Sequence, residues 1–347
     1  KSLGDQVVAT GAEGGVAVIM EPGTGNILAM ATYPTFDPNT PFATDDKSKR
    51  NTAVTDVFEP GSTSKVMTMA SVIEEGGANP GTQYTIENRI SRGGSSFKDY
   101  VDHPTLRLTL AGVLAKSSNI GTILASESIG EKKLYEYLQK FGIGQSTGMN
   151  FPGESGGKLP DINNENEWSA TTFPTLAFGQ GLSVNAVQAT SVFATIANDG
   201  VRMLPRLIAG YSNNEGVYEP TTVNEGVRVV SPETAKTVRE MLEGVVSEDG
   251  TAKNMQIPGY RVGGKTGTAN RYDEATGGYS GYTSSFIGMA PAEKPALVMS
   301  VFIHNPKTST YGSVVAGPVF KEVMTYALAH RKIPPSTTTP PKLPVAW

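Results

Sequence analysis

Strand-like runs stand at both ends of this 347-residue chain, and helical runs fill the stretch between them. Gly15–Pro22 and Asn26–Tyr33 are β-rich and flank Gly23-Thr24-Gly25, a hairpin signal. Three more runs, Arg261–Asn270, Thr283–Ala290 and Ala296–His304, come only near the other end. A lone apolar strand cannot bury its face, so both groups are expected to share one sheet. What lies between becomes an insertion. Thr63–Glu75, Leu106–Leu124, Lys132–Phe141, Val187–Ala197 and Pro232–Val246 read as helices. Pro-Gly before Ser62 marks a sharp helix start, Ser231 followed by Pro232 marks another, and Asn198-Asp199-Gly200 marks an end.

The expected fold is therefore mixed α/β of the α+β kind. A mainly antiparallel, five-stranded sheet is covered by helices such as Pro318–His330 and carries an inserted all-helical subdomain. The sheet part is expected over about 10–65 and 226–333, and the helical part over about 66–225. The Pro- and Thr-rich tail, 334–347, reads as extended or disordered.

Composition removes several chemistries. With 29 basic and 33 acidic residues the net charge is −4, which leaves no footprint for nucleic acid. The chain has no cysteine, so thiol catalysis, disulfides and Cys-ligated metals are excluded. Its three histidines, His103, His304 and His330, form no metal-binding run, and neither a metal nor an organic cofactor is expected. No apolar stretch approaches the roughly 18 residues of a membrane span. Lys1 is not a start methionine, so a preceding segment is expected.

Three short segments carry reactive groups. In Ser62-Thr63-Ser64-Lys65 the spacing puts Ser62 and Lys65 on one helical face. A serine hydroxyl is a weak nucleophile until a base takes its proton, and a lysine is that base only when burial or a neighbouring cation lowers its pKa. Ser117-Ser118-Asn119 offers a hydroxyl that passes a proton and an amide that both donates and accepts. Gly264-Lys265-Thr266-Gly267-Thr268 sets a cation and hydroxyls on a strand edge that an extended peptide can pair with. The residues Gly259, Gly264, Lys265 and Thr266 also satisfy a phosphate-loop pattern. However, no apolar strand precedes them and no helical period follows, so that reading fails its context test. Alone, each segment is common in helix faces and connections.

Together, and in this order, the three segments resemble the penicilloyl-serine transferase superfamily. The closer resemblance is to class B penicillin-binding proteins, the monofunctional peptidoglycan transpeptidases. Glu21–Met30, Tyr33–Asn39, Phe58–Thr63, Gly179-Gln180-Gly181, Ala197-Asn198 and Ala290-Pro291 are family-like, so the resemblance covers roughly 10–330. Phe141–Gly157 looks most like division-associated actinobacterial members.

The resemblance implies the penicillin-binding/β-lactamase-like transpeptidase fold and a set of roles. Ser62 attacks the penultimate D-Ala carbonyl of a stem peptide ending in D-Ala-D-Ala, Lys65 is the base, and Ser117 relays the proton to the leaving amine. Asn119 holds the substrate amide and orients Lys65. Lys265 adds positive potential, Thr266, Gly267 and Thr268 bind substrate, and the N–H groups of Ser62 and Thr268 form the oxyanion hole. β-Lactams acylate the same serine. A glycosyltransferase and division proteins are the implied partners. The implied location is the outer side of the cell membrane, with the anchor in an N-terminal segment outside this chain.

Two departures stand out. Ser64 stands where many relatives carry Phe or Met, and Asn270 where many carry Gln. The alternatives on the same fold are a D,D-carboxypeptidase, a β-lactamase and a non-catalytic β-lactam sensor or scaffold. For a β-lactamase the candidate deacylating base is Glu154, which sits in a turn-rich loop. Arg271 and the stretch Tyr272–Tyr282 read either as a flap over the third segment or as a plain hairpin connection.

Overall fold

The computed structural model describes residues 1–43, 45, 48–273 and 278–347. Its main sheet has five strands: β1 (Gly14–Met20), β2 (Ile27–Tyr33), β3 (Gly263–Asp273), β4 (Gly278–Ala290) and β5 (Leu297–His304). Their order is β3-β4-β5-β1-β2, and every neighbouring pair is antiparallel. The two ends of the sequence thus meet at the β1–β5 ladder, where Gly14 faces His304 and Met20 faces Val298. β1 is buried throughout and β5 at all but its last residue, so both faces of the sheet are covered.

The helices that matter here are α1 (Ser2–Thr10), α2 (Lys65–Glu74), α3 (Leu110–Lys116), α4 (Asn119–Glu127), α5 (Ala186–Ala197), α6 (Pro232–Val246) and α7 (Gly317–His330). α1 and α7 pack on one side of the sheet, and α5 and α6 on the other. Across the α5–β5 interface the buried hydroxyls of Thr190 and Ser300 bond each other at 2.7 Å. That pairing offsets the desolvation of both groups. Eight of the ten residues of α2 are buried, so this helix runs through the core instead of along a surface.

Two features differ from the sequence reading. The middle of the chain is not purely helical. It carries short ladders, 83–86 with 106–109, 89–92 with 95–98, 201–202 with 227–228 and 210–212 with 218–220. Runs of two to four residues are too short to show a period. The expected helix Leu106–Leu124 is a strand and two helices, broken at Ser117, whose φ is +62°. The stretch read either as a flap or as a hairpin connection lies partly outside the described residues, at 274–277, while β3 and β4 stay paired up to Asp273 and Gly278. Lys265 lies on a strand with no helix after it, so no phosphate loop forms.

Candidate active site

The turn that carries Ser62 is held from several directions. Gly61–Ser64 forms a single 3-10 turn that runs into α2, and Gly61 has φ +53°. Phe58 and Val184 exchange backbone hydrogen bonds at 3.0 Å, Gly61 N donates to Gly179 O at 3.0 Å, and Gly181 N donates to Glu59 Oε1 at 3.0 Å. The Gly179-Gln180-Gly181 segment is therefore a brace for the turn. Ser62 is half-buried, and its hydroxyl makes no hydrogen bond to any described residue.

Lys65 lies beneath the cleft, fully buried. Its Nζ donates to Ser117 O at 2.6 Å and to Asn119 Oδ1 at 2.7 Å, and lies 3.3 Å from Ser117 Oγ. The expected direct bond to Ser62 is not among those Lys65 makes with the described residues. Burial pulls the Lys65 pKa from 10.5 to about 7, against an opposing pull from the Asp99 carboxylate.

Lys265, on β3, is also fully buried. Its Nζ donates to Ser117 Oγ at 2.8 Å and to Thr266 O at 3.1 Å. Burial lowers its pKa strongly, and the neighbouring Lys65 lowers it further. Two cations sharing one hydroxyl in a dry site repel, so the pair sheds a proton jointly. Burial thus biases both lysines toward the neutral form, with Asp99 opposing that shift at Lys65.

The Ser117 hydroxyl thus bridges both lysines. It is presented by a left-handed residue at the end of α3, and Ser118 caps α4 by accepting from Gly121 N at 2.9 Å. Small polar residues in such conformations end helices readily.

Asp99 escaped the sequence reading. It is 8 % exposed, and its Oδ1 accepts from Asn119 N at 2.5 Å and Ile120 N at 2.9 Å. A carboxylate on the first N–H groups of a helix is favoured by the helix dipole. His103 Nε2 lies 3.1 Å from Oδ2, and Asn119 Nδ2 donates to Lys98 O at 3.0 Å. A loop acid whose partners are backbone groups 20 residues on leaves no spacing signal.

Across the cleft, β3 is an edge strand, so its outer backbone groups are open to a peptide. Thr266 and Thr268 line the opening. Thr266 pairs with Thr251 at 3.1 Å, and Thr268 donates to Thr310 O at 2.9 Å. Ser284 also donates to Thr310 O, so that carbonyl stays satisfied when Thr268 turns toward a ligand.

Gly267 does not line the opening. A Cβ there would lie 2.4 Å from Ser285 Oγ and 3.2 Å from Pro60 O, so its bareness lets β3 lie against the nucleophile turn. The cleft holds about 380 Å³, a size suited to a small ligand or a short peptide end. Tyr100 and Tyr311 close its rim edge to face, with centroids 5.9 Å apart. Glu154 lies elsewhere, accepting from Thr147 N at 2.7 Å and Ser146 Oγ at 3.0 Å. Among the described residues no cluster of acids or histidines suits a metal.

An antiparallel sheet behind, helices in front, and the Ser-x-x-Lys, Ser-x-Asn and Lys-Thr-Gly segments meeting between them define the penicillin-binding class. The family model described as penicillin binding protein transpeptidase domain matches residues 15–325. The chain belongs to that family. It is 38 % identical over 96 % of its length to penicillin-binding protein PbpB of Mycolicibacterium smegmatis, covering 53 % of that protein. It is 32 % identical over 98 % of its length to peptidoglycan D,D-transpeptidase FtsI of Escherichia coli, covering 55 % of it. The chain therefore spans about half the length of these curated relatives. Penicillin-binding protein 3 of Mycobacterium tuberculosis, solved in complex with aztreonam, superposes with a TM-score of 0.92. It is 35 % identical, and the match covers all of this chain and 78 % of that one.

Proposed function

We propose that this chain is the catalytic unit of a peptidoglycan D,D-transpeptidase that works through an acyl-serine and is inhibited by β-lactams. The observation that carries the reading is the Ser117 hydroxyl, 2.8 Å from Lys265 Nζ and 3.3 Å from Lys65 Nζ, beneath a cleft lined by the unbonded Ser62.

The chemistry runs as follows. A substrate carboxylate at Thr266 and Thr268 favours positive charge on Lys265. Burial supplies Lys65 as a neutral amine, its pKa lowered to about 7, and the Ser117 hydroxyl joins it to Lys265. Lys65 then takes the Ser62 proton as Oγ attacks the penultimate D-Ala carbonyl. The oxyanion is held by the N–H groups of Ser62 and Thr268, donors whose loss typically costs about 3–4 kcal/mol of barrier. The C–N bond to the terminal D-Ala breaks, and Ser117 delivers the proton to the departing amine. Asn119 orients Lys65 and the substrate amide. An acceptor amine of a neighbouring stem then takes the acyl group and restores Ser62. A β-lactam acylates Ser62 in the same way, but its leaving nitrogen remains tethered.

The carboxylates support transpeptidation over β-lactam hydrolysis. Asp99 is the only acid among the described residues lining the cleft, and it is occupied by Asn119 and Ile120. Glu154 is tied into its own turn. In the whole protein we place this unit outside the cytoplasmic membrane, anchored by a further segment and partnered by a glycosyltransferase and division proteins. Among the described residues no helix is long and apolar enough to cross a membrane.

A labelled penicillin is expected to bind covalently, and Ser62→Ala to abolish the label; label that persists removes Ser62 from its role. Rapid turnover of nitrocefin would replace the reading with a β-lactamase. With lipid-linked peptidoglycan and a glycosyltransferase, cross-links are expected; D-Ala release without them identifies a carboxypeptidase.

A further inference from the structure

The tail is neither loose nor peripheral. Its first part ties to the foot of β3. Ser336 N donates to Gly259 O at 2.9 Å, Arg261 N donates to Ser336 Oγ at 2.8 Å, and Arg261 Nη1 donates to Thr338 Oγ1 at 2.7 Å. Its last part docks on the start of α3. Thr109 N donates to Val345 O at 3.1 Å, the Thr109 hydroxyl donates to Pro344 O, and Ala346 bridges to Leu108. The Arg107 guanidinium lies over the Trp347 ring, 5.1 Å from its centroid. Leu343 and Val345 pack against the core.

Thr109 is also the N-cap of α3, accepting from Gly112 N at 3.0 Å. One hydroxyl therefore joins the tail to the first turn of the helix whose far end presents Ser117. α3 is only seven residues long, about 10 Å, so a tilt at its start is felt at its end. Gly112 marks the closeness of this contact, because a Cβ there would lie 1.8 Å from Val345 O. Prolines 340, 341 and 344 stiffen the segment and reduce the entropy lost on docking.

We propose that residues 343–347 form a strap that positions Ser117 for proton relay, with Thr109 and Gly112 as its positioning residues. The same tail also bonds Gly259 and Arg261, just ahead of the strand that carries Lys265, so it links the Ser117 helix to the approach of that strand. The inference rests on the reading that Ser62 is acylated and Ser117 moves the proton. Misplacement of a reacting group by ~1 Å can cost as much as ~10²-fold in rate.

The test is stopped-flow acylation by a fluorescent penicillin, resolved into the pre-covalent binding constant and the acylation rate constant. The chain lacking residues 343–347, Gly112→Ala and Thr109→Ala are each expected to slow acylation about tenfold or more, with binding little changed. Thr109→Ser keeps the hydroxyl and is expected to keep the rate. Gly112→Ala in the shortened chain is expected to add nothing further, because the strap it displaces is already gone. Gly112→Ala raises intrinsic helix propensity, and circular dichroism on this variant shows whether the helix is kept while the strap is displaced.

A shortened chain that acylates at the full rate overturns the proposal. So does one slowed only by the fraction that circular dichroism finds unfolded. Ser62→Ala is run in parallel; label surviving in it refutes the acyl-serine reading, not the strap.

Discussion

Replacing Asp99 by Asn tests the electrostatics of the cleft with almost no change in shape. Asn retains the oxygen that accepts from Asn119 N at 2.5 Å and Ile120 N at 2.9 Å, so the α4 N-terminus keeps its cap. What disappears is the negative charge that opposes burial at Lys65, whose pKa stands at about 7. The sign is fixed. Without the carboxylate the charged form of Lys65 loses its attraction, and its pKa falls further.

A nearby opposite charge commonly moves a pKa by ~1–3 units, and Asp99 reaches Lys65 through Asn119, so the lower end, about one unit or 1.4 kcal/mol, is expected. In the unaltered chain about 10 % of Lys65 is neutral one pH unit below its midpoint near 7, and about 90 % one unit above. The acid limb of penicillin acylation should therefore fall about tenfold per pH unit below neutrality. In Asp99→Asn that limb should move down by about one pH unit, giving about eightfold faster acylation at pH 5.5 and little change at pH 8. The assay is acylation rate against pH from 5 to 9, with circular dichroism to show that the fold is kept. An acid limb that stays in place, or moves to higher pH, refutes the electrostatic coupling.

Ser64→Ala should stabilise the chain. Its hydroxyl is buried without a hydrogen-bond partner among the described residues, beside a small apolar cavity lined by Met67, Val192 and Phe193. A gain of about 1 kcal/mol, or about 2 °C in melting temperature, is expected; a lower melting point would show that the hydroxyl is satisfied. Arg261→Ala removes one partner of a buried pair, because the guanidinium bonds Glu243 at 2.8 and 2.6 Å with side chains 10 % and 4 % exposed. Urea unfolding should register a loss of about 3–5 kcal/mol, and a loss below about 1 would place the pair in solvent. Gly267→Ala forces a methyl toward Pro60 O and Ser285, which lifts β3 from the nucleophile turn. Penicillin acylation should drop about tenfold or more, and an unchanged rate would show that the strand tolerates the displacement.

The three reactive segments were legible because their chemistry needs particular residue types at short spacings. The sheet was legible because apolar strands at both ends leave few ways to bury them. What escaped was held by backbone groups. Leu106–Leu124 keeps an apolar pattern across its whole length, so periodicity gave one helix where Ser117 and Ser118 break it into two. The signal for that break was present in Ser118, which caps α4, but two serines in a helical stretch are as readily read as a polar face. Asp99 and the tail were invisible for the same reason. Asp99 bonds the N–H groups of Asn119 and Ile120, and the tail bonds the backbone of Thr109, and every residue but proline offers such groups.

The charge on the lysines carries the argument one step further. The family resemblance implies Lys65 as the base, with Lys265 adding positive potential and attracting a carboxylate. The two lysines differ in the acceptors around them. Lys65 has a carbonyl, an amide oxygen and the field of Asp99, whereas Lys265 has one carbonyl and the shared hydroxyl. A carboxylate entering beside Thr266 and Thr268 supplies Lys265 with what it lacks. In the proposed mechanism, positive charge held at Lys265 disfavours it at Lys65, so a bound carboxylate adds to the neutral fraction of the base that burial already provides near pH 7.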